Sequence, residues 1–364
     1  MILIALTILT VLAVILGLAA LVPFTRISHG VVRMCEFPRL QMAAIAFVCL
    51  LATPVLVTDP VWLYPPLFTF IVVLAIHAYA IGQFTPIRKP QSHVYDGDVD
   101  GDNVVSVLSC NVKMSNRDYE RCLAMARRAD ADLALFMETD EGWAEGLSPL
   151  KQTYPHVISR PYDNSYGMIL YSRLELENVE VKFLAMDKVP CFICDVRLKN
   201  GRSFRIYCVH PEPPVPNADS SGRDAELIRV AKLAREDSKP SIVCGDLNDV
   251  AWSHTTRLFQ RLSQLLDPRV GRGFYNTFDA RYPVLRWPLD HLFHDEHFSL
   301  VTIRRCEHIK SDHFPIFFKL ALTSSPTVID DVEAPNGEDH AEAEDIKKQA
   351  DELDRKAVGT DWEK

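Results

Sequence analysis

Charge is missing from long stretches of the first ninety residues. Residues 1–25 carry no charged side chain, and neither do residues 40–58 or 60–87. Each stretch is long enough to cross roughly 30 Å of hydrocarbon. We read three transmembrane helices, near 2–23, 40–58 and 67–84. Asp59, Pro60, Pro65 and Pro66 separate the last two and suit a short turn at a membrane surface. No Lys or Arg precedes Arg26, so the basic start of a cleaved signal peptide is missing and the first span reads as an anchor. His77 falls within the third span without an acidic partner in the spans. It reads as a packed residue, and no role is assigned to it.

A disulfide framework is also missing. The nine cysteines are an odd number without paired spacing. Cys110, Cys208 and Cys244 lie inside apolar runs, where cysteine behaves as a small buried hydrophobe. Cys191 and Cys194 form a C-x-x-C, but residues three apart in a strand point to opposite faces and cannot chelate one metal. This usage suits a reducing compartment.

A basic footprint is lacking as well. The net charge of −9 divides into +3 for residues 1–90, −4 for 91–323 and −8 for 324–364. A mildly acidic domain disfavours duplex DNA as a substrate. The segment 324–364 has no aromatic residue before Trp362 and reads as an acidic, largely disordered tail with room for a short helix near 340–356. Residues 96–102, DGDVDGD, begin like a calcium loop, but Val107 stands where the closing Glu belongs. Residues 91–103 therefore read as an acidic linker between a membrane segment, 1–90, and a globular domain, 104–323. No internal repeat is evident.

The basic residues that are present set an orientation. Arg26, Arg33 and Arg39 stand against Glu36 in the loop 26–39, and Arg88 and Lys89 follow the third span. Both segments lie on one side of a three-span anchor. The positive-inside rule makes that side cytoplasmic. The expectation is an integral protein of the cell membrane with its domain in the cytoplasm.

Within the domain, apolar strand-like runs stop at polar residues. VVSVLSC ends at Asn111, LALFM at Glu138, SFRIYCV at His210, and SIVCG at Asp246 and Asn248. Ser311-Asp312-His313 precedes FPIFFKLAL. Strand ends are where an α/β protein presents its chemistry. Carboxylates, amides and imidazoles suit a divalent cation and a phosphate ester. Gly245 permits a tight exit from its strand, and Asp246 and Asn248, two apart, share a face in extended geometry. Asp290, in WPLDHLF, is a carboxylate able to fix the tautomer of an imidazole, with His313 the plausible partner. Strands are expected at 104–110, 132–137, 166–171, 178–184, 191–198, 203–209, 240–245, 289–293, 299–306 and 314–321. Helices are expected at 116–129, 219–236 and 254–265. Arg223 reads as a solvated helix residue.

This ordered set resembles the endonuclease/exonuclease/phosphatase superfamily, the DNase I-like metal-dependent phosphoesterases. The resemblance runs from about 104 to 321. It is carried by CNV at 110–112, METD at 137–140, YGMILYSR at 166–173, VHPEPP at 209–214, GDLND at 245–249, PLDHLF at 288–293 and SDHFP at 311–315. It implies a four-layer α/β sandwich, here preceded by three transmembrane helices. It implies Mg²⁺, with Mn²⁺ as the alternative, held by Glu138 with Asn111 and Asp312. It also implies catalytic roles for His210, Asp246, Asn248 and His313, the last oriented by Asp290. Met137 departs from the Gln that many members carry before the metal-binding Glu, which leaves the subfamily open.

The implied activity is hydrolysis of a phosphodiester, nucleic acid or phospholipid in type, by in-line attack of water. The competing reading is a catalytically silent, membrane-anchored binding module on the same fold. The expected partners are the phosphoester substrate and the lipid bilayer; no protein partner is expected.

Overall fold

The computed structural model describes residues 2–327 and 332–360; the other tail residues, Trp362 among them, lie outside the described residues. Three helices are long and apolar enough to cross a membrane, spanning Leu3–Thr25, Arg39–Leu56 and Pro60–Gly82. The third starts earlier than 67. Asp59 caps it by accepting from the Val61 N–H, and Pro60 takes the first helical position, where a missing N–H costs nothing. Pro65 and Pro66 lie inside this helix, so the turn is confined to residues 57–59. His77 is buried, as a packed residue should be.

We number α1 as Ile2–Leu21, α2 as Gly30–Met34, α3 as Arg39–Leu56 and α4 as Pro60–Gly82. The domain then runs β1 (Val104–Asn111), α5 (Tyr119–Ala129), β2 (Leu133–Met137), α6 (Glu141–Gly146), β3 (His156–Arg160), β4 (Met168–Ser172) and β5 (Glu175–Lys182). It continues through β6 (Cys191–Arg197), β7 (Ser203–Val209), α7 (Ser221–Glu236), β8 (Ser241–Asp246) and α8 (His254–Ser263). It ends with β9 (Asp290–His294), β10 (Phe298–Arg305), β11 (Ile316–Leu322) and α9 (Gly337–Asp351).

Two mixed sheets form, in the orders β10-β11-β1-β2-β4-β3 and β5-β6-β7-β8-β9. Strand alternation decides how they stack. In β1, Val105 and Val107 face the second sheet and join a core with Phe192, Cys194 and Ile206. Leu108 and Cys110 face outward and pack on Leu123 and Ala126 of α5. On the far side, Tyr207 and Val243 pack on Leu227 and Ala231 of α7. The result is helix, sheet, sheet, helix: the four-layer sandwich expected from the sequence. Cys191 and Cys194 fall in different cores, on opposite faces of β6.

Parallel pairing aligns the strand ends that matter. β1 runs parallel to β2, with Asn111 opposite Met137. β7 runs parallel to β8, with Val209 opposite Gly245. Their exits therefore emerge at one end of the sandwich.

Segments outside the sandwich depart from the expectation of solvated chain. The linker is pinned to β10, since Leu300 N–H donates to His93 O at 2.7 Å and Tyr95 N–H to Leu300 O at 2.8 Å. The acidic tail forms α9, whose Ala343, Ile346 and Ala350 pack on Ala225, Ile228 and Leu258. Its carboxylates find partners remote in sequence: Asp339 pairs with Arg261 at 2.7 Å, and Glu342 lies 2.6 Å from His254 Nε2. Composition identified the negative charge but not the folded surface that neutralises it.

The loop between the first two apolar helices docks on the domain. Trp252 donates its indole N–H to Glu36 O at 2.7 Å, and Phe37, Leu40 and Phe84 close over Trp252 and Leu289. Arg33 is wholly buried and pairs with buried Asp224 at 2.7 Å.

Candidate active site

The strand ends converge around Asp246. Asn111 donates from Nδ2 to Asp246 Oδ2 at 3.0 Å and to Glu138 Oε1 at 2.8 Å, so one amide ties two carboxylates together. His210 Nε2 lies 3.9 Å and His313 Nε2 lies 3.5 Å from Asp246 Oδ2. Asp290 pairs with Asp246 across β8 and β9 and accepts from His313 Nδ1 at 2.8 Å. All eight residues expected from the sequence lie at this end of the sandwich. Asp312 stands toward the rim, bound by Lys113 Nζ at 2.8 Å.

Local backbone explains the convergence. Gly245 holds φ +143°, and a Cβ there would meet Val209 O at 1.9 Å, so the parallel strands close only around glycine. Glu138, Asn248 and Lys113 adopt left-handed φ of 60°, 50° and 58°. Such strain in non-glycine residues persists where surrounding contacts over-determine it. Here Met114 N–H donates to Glu138 Oε2 at 3.2 Å. Asn248 donates from Nδ2 to Pro211 O at 2.9 Å, locking the β8 exit to the β7 exit. Ser311 Oγ donates to Asn111 O at 2.8 Å and accepts from His313 N–H at 3.0 Å, which seats the SDH loop on β1.

The electrostatics divide the site in two. Burial raises Glu138 to about 7 against its hydrogen bond from Asn111, and Asp312 adds to the rise. Burial also raises Asp246, with Asp290 adding and His313 opposing. Burial pulls His210 down. Burial would lower His313 too, but Asp246 and Asp290 outweigh it and raise the imidazole to about 10. Asp246, Asp290 and His313 offer ligand atoms within 4.8 Å of one another. The hydrogen bond to Asp290 occupies His313 Nδ1, however, and the flanking carboxylates favour the protonated ring. A ring held this way suits holding a proton more than ligating a metal. The oxygen donors of Glu138, Asp312 and Asn111 fit a hard cation better, and burial raises Glu138 to about 7 despite His313 and the Asn111 amide.

Two participants escaped the sequence reading and a third was misassigned. Lys113, two residues beyond Asn111, pairs with Asp312. Phe278 stacks on the His313 ring with centroids 4.9 Å apart. Arg223 is not solvated: it is fully buried, pairs with Asp224 at 2.6 Å and donates to Asn248 O at 3.1 Å. A lone Lys after a strand end and an Arg-Asp pair at a helix start were the only signals.

A four-layer sandwich with this polar set at one end is the DNase I-like fold. The chain belongs to the endonuclease/exonuclease/phosphatase family, whose profile matches residues 108–313, more than half of its length. Members of that family hydrolyse phosphoester bonds. Similar solved structures include D. rerio TDP2 complexed with a single-strand DNA product, at 15% identity and a TM-score of 0.50, over 60% of this chain and 98% of that one. The endonuclease/exonuclease/phosphatase from Bacteroides vulgatus matches at 16% identity and TM-score 0.50, over 60% and 99% of the two chains. The human Nocturnin catalytic domain with bound sulfate matches at 16% identity and TM-score 0.50, over 61% and 95%. At these identities the likeness establishes the fold alone. A search of curated proteins finds no match.

Proposed function

We propose that this chain is a membrane-tethered, Mg²⁺-dependent phosphoesterase that hydrolyses a phosphodiester by in-line attack of water. The observation that carries the reading is the placement of Asp246. It sits between two imidazoles and is tied by Asn111 to Glu138. Glu138 and Asp312, with Asn111 beside them, would hold the cation. When bound, a divalent cation supplies positive charge to the phosphoryl oxygens. Asp246 orients the attacking water. His313, held by Asp290, and His210 face the same space and can hydrogen-bond a phosphate. Asn248 fixes the loop on which Asp246 sits. The three apolar helices support the tether, and the arginines of loop 26–39 support a cytoplasmic domain at the cell membrane. The negative charge of residues 91–323 favours a phosphodiester other than duplex DNA.

The test is hydrolysis of bis-p-nitrophenyl phosphate by the full chain in detergent. Turnover is expected with Mg²⁺ or Mn²⁺, with loss of about 10²-fold or more in Asp246→Ala and His313→Ala. Turnover that ignores the cation or survives both substitutions would defeat the reading. No turnover at all would leave a binding module on this fold.

A further inference from the structure

The loop from Thr277 to Trp287 has one foot in the candidate site and the other at the anchor. At the site, Phe278 packs on His313, and Ala280 N–H donates to Asp312 O at 2.7 Å. At the far end, Gln41, in the first turn of α3, donates from Nε2 to Val284 O at 2.8 Å. The tip between these contacts is apolar and uncovered. Val284 is 73% exposed, Tyr282 52% and Leu285 45%. An isolated exposed apolar residue needs no explanation, but three at one tip beside an apolar helix do.

A cavity of about 720 Å³ lies between this tip, the start of α3 and β10. Leu40, Gln41 and Ala44 form its anchor wall, and Arg286, Arg304 and Arg305 its polar wall. None of these arginines pairs with a carboxylate among the described residues. Arg286 and Arg305 both lie over one ring, Phe314, at 5.0 and 4.3 Å from its centroid. Arg304 lies over Phe317 at 4.3 Å. Burial, with Arg286 adding, lowers Arg305 below the usual guanidinium range, so the cluster is positive charge without a counterion. Arg286 Nε is buried and makes no hydrogen bond. Arg305 also donates to Asn276 O at 2.8 Å and Arg286 to Ala280 O at 3.3 Å, but three clustered guanidiniums without a carboxylate in a concave site call for an anion.

We propose that this cavity binds the headgroup of an anionic phospholipid, with Tyr282, Val284 and Leu285 set into the bilayer interface beside it. The occupant is a lipid because the cavity is walled by the first turn of an apolar helix, and the uncovered apolar tip adjoins the cation cluster. Apolar side chains flanked by arginines are the composition that lies in a bilayer interface. The loop then holds the candidate site at a fixed height over the membrane. The inference rests on the bilayer reading of the three helices, not on catalysis.

The test uses the full chain. Native membranes are first extracted with alkaline carbonate. The chain is then purified and transferred to micelles doped with phosphatidylglycerol or phosphatidylcholine, and retained lipid is counted by native mass spectrometry. Retention in the carbonate pellet with preferential phosphatidylglycerol binding supports the proposal. Arg286→Gln combined with Arg305→Gln should weaken that binding about 30-fold, from the attraction of each arginine to an anionic surface. Arg128→Gln, remote from the cavity, should not. Each variant is accepted only with wild-type thermal unfolding. If the double variant fails that criterion, Val284→Asp, which charges only the tip, should lower lipid retention in its place. Release by carbonate would overturn the bilayer reading and the lipid site with it. Retention without lipid preference, or a preference that survives the arginine or tip substitutions, would overturn the lipid site alone. Full displacement by millimolar inorganic phosphate would overturn the lipid assignment in favour of a free anion.

Discussion

Asp224→Asn should be among the most damaging conservative changes in this chain. Asp224 is fully buried and accepts from Arg33 Nη2 at 2.7 Å, and from Arg223 Nη2 at 2.6 Å and Nε at 2.9 Å. Asparagine keeps the volume but removes the charge, and its NH₂ must face one of two guanidiniums. Both cations stay buried, with Asp249, 3.5 Å from Arg223, as the nearest remaining carboxylate. Leaving a buried charge without its partner costs about 3–5 kcal/mol. Arg33→Met should cost less, because Asp224 keeps Arg223. Combining the two changes removes one of the two stranded cations, so the double variant should be more stable than Asp224→Asn alone. The coupling should exceed about 1 kcal/mol. The pH dependence has a definite sign. Burial opposes the Asp224 charge, but Arg223 and Arg33 hold its carboxyl below the ordinary range. Its stabilisation is therefore present above the unfolded carboxylate pKa and lost as pH falls through the lower folded value. The asparagine variant should lose that acid limb. Denaturant or thermal unfolding of the full chain in detergent measures all of this. A cost under about 1 kcal/mol, or strict additivity in the cycle, would refute the reasoning.

Glu226 tests the opposite sign. Burial raises it to about 8. The folded state holds a proton that the unfolded chain releases above the ordinary Glu value, so stability falls from there up to about pH 8. Glu226→Gln should stabilise by on the order of 2 kcal/mol at pH 7.5 and by nothing measurable near pH 4, read as a difference in melting temperature. Asp290→Asn should lower turnover of bis-p-nitrophenyl phosphate about 10²-fold or more and move the alkaline limb of the rate profile down, because Asp290 helps raise His313 to about 10. An unchanged limb would sink the orienting role. Arg355→Ala should expose residues 211–219 to faster hydrogen exchange, since Arg355 bonds both buried Glu212, at 2.7 Å, and Asp219, at 3.0 Å.

The site was legible because parallel strands force neighbouring exits to one end. Asn111, Glu138, His210 and Asp246 each follow an apolar run, and pairing of β1 with β2 and β7 with β8 does the rest. The orienting bond from His313 to Asp290 followed from chemistry alone. β3 was missed because only Ile158 of its five residues is buried, which leaves no alternation to read. The start of α5 was set too early. Asp118 caps it, while Asn116 spends its amide on Val112 O and Ile309 O. Arg223 was misread because Ser221 to Ile228 are all buried. No helical period marks a polar face on a segment that other parts of the chain cover all round.

Those covering parts lie outside the stretch that matches the family, and they reach the loops that carry the site. The loop between the first two apolar helices reaches the β8 exit through Arg33, Asp224 and Arg223 to Asn248 O. The tail reaches the β7 exit through Arg355 to Glu212, two residues beyond His210, and Val358 N–H donates to the same carboxylate at 2.9 Å. Cutting the chain to residues 91–323 would take Arg33 from Asp224 and Arg355 from Glu212, baring carboxylates that are now buried. It would also uncover Trp252 and Leu289, which Phe37, Leu40 and Phe84 close over. The excised domain should therefore hold its sheets, whose cores are internal, but lose order at the two loops that position His210 and Asp246. Hydrogen exchange confined to residues 210–219 and 246–253, faster in the fragment than in the full chain, would show that loss. Equal protection in both would mean that the sandwich positions its own site without the apolar helices or the tail.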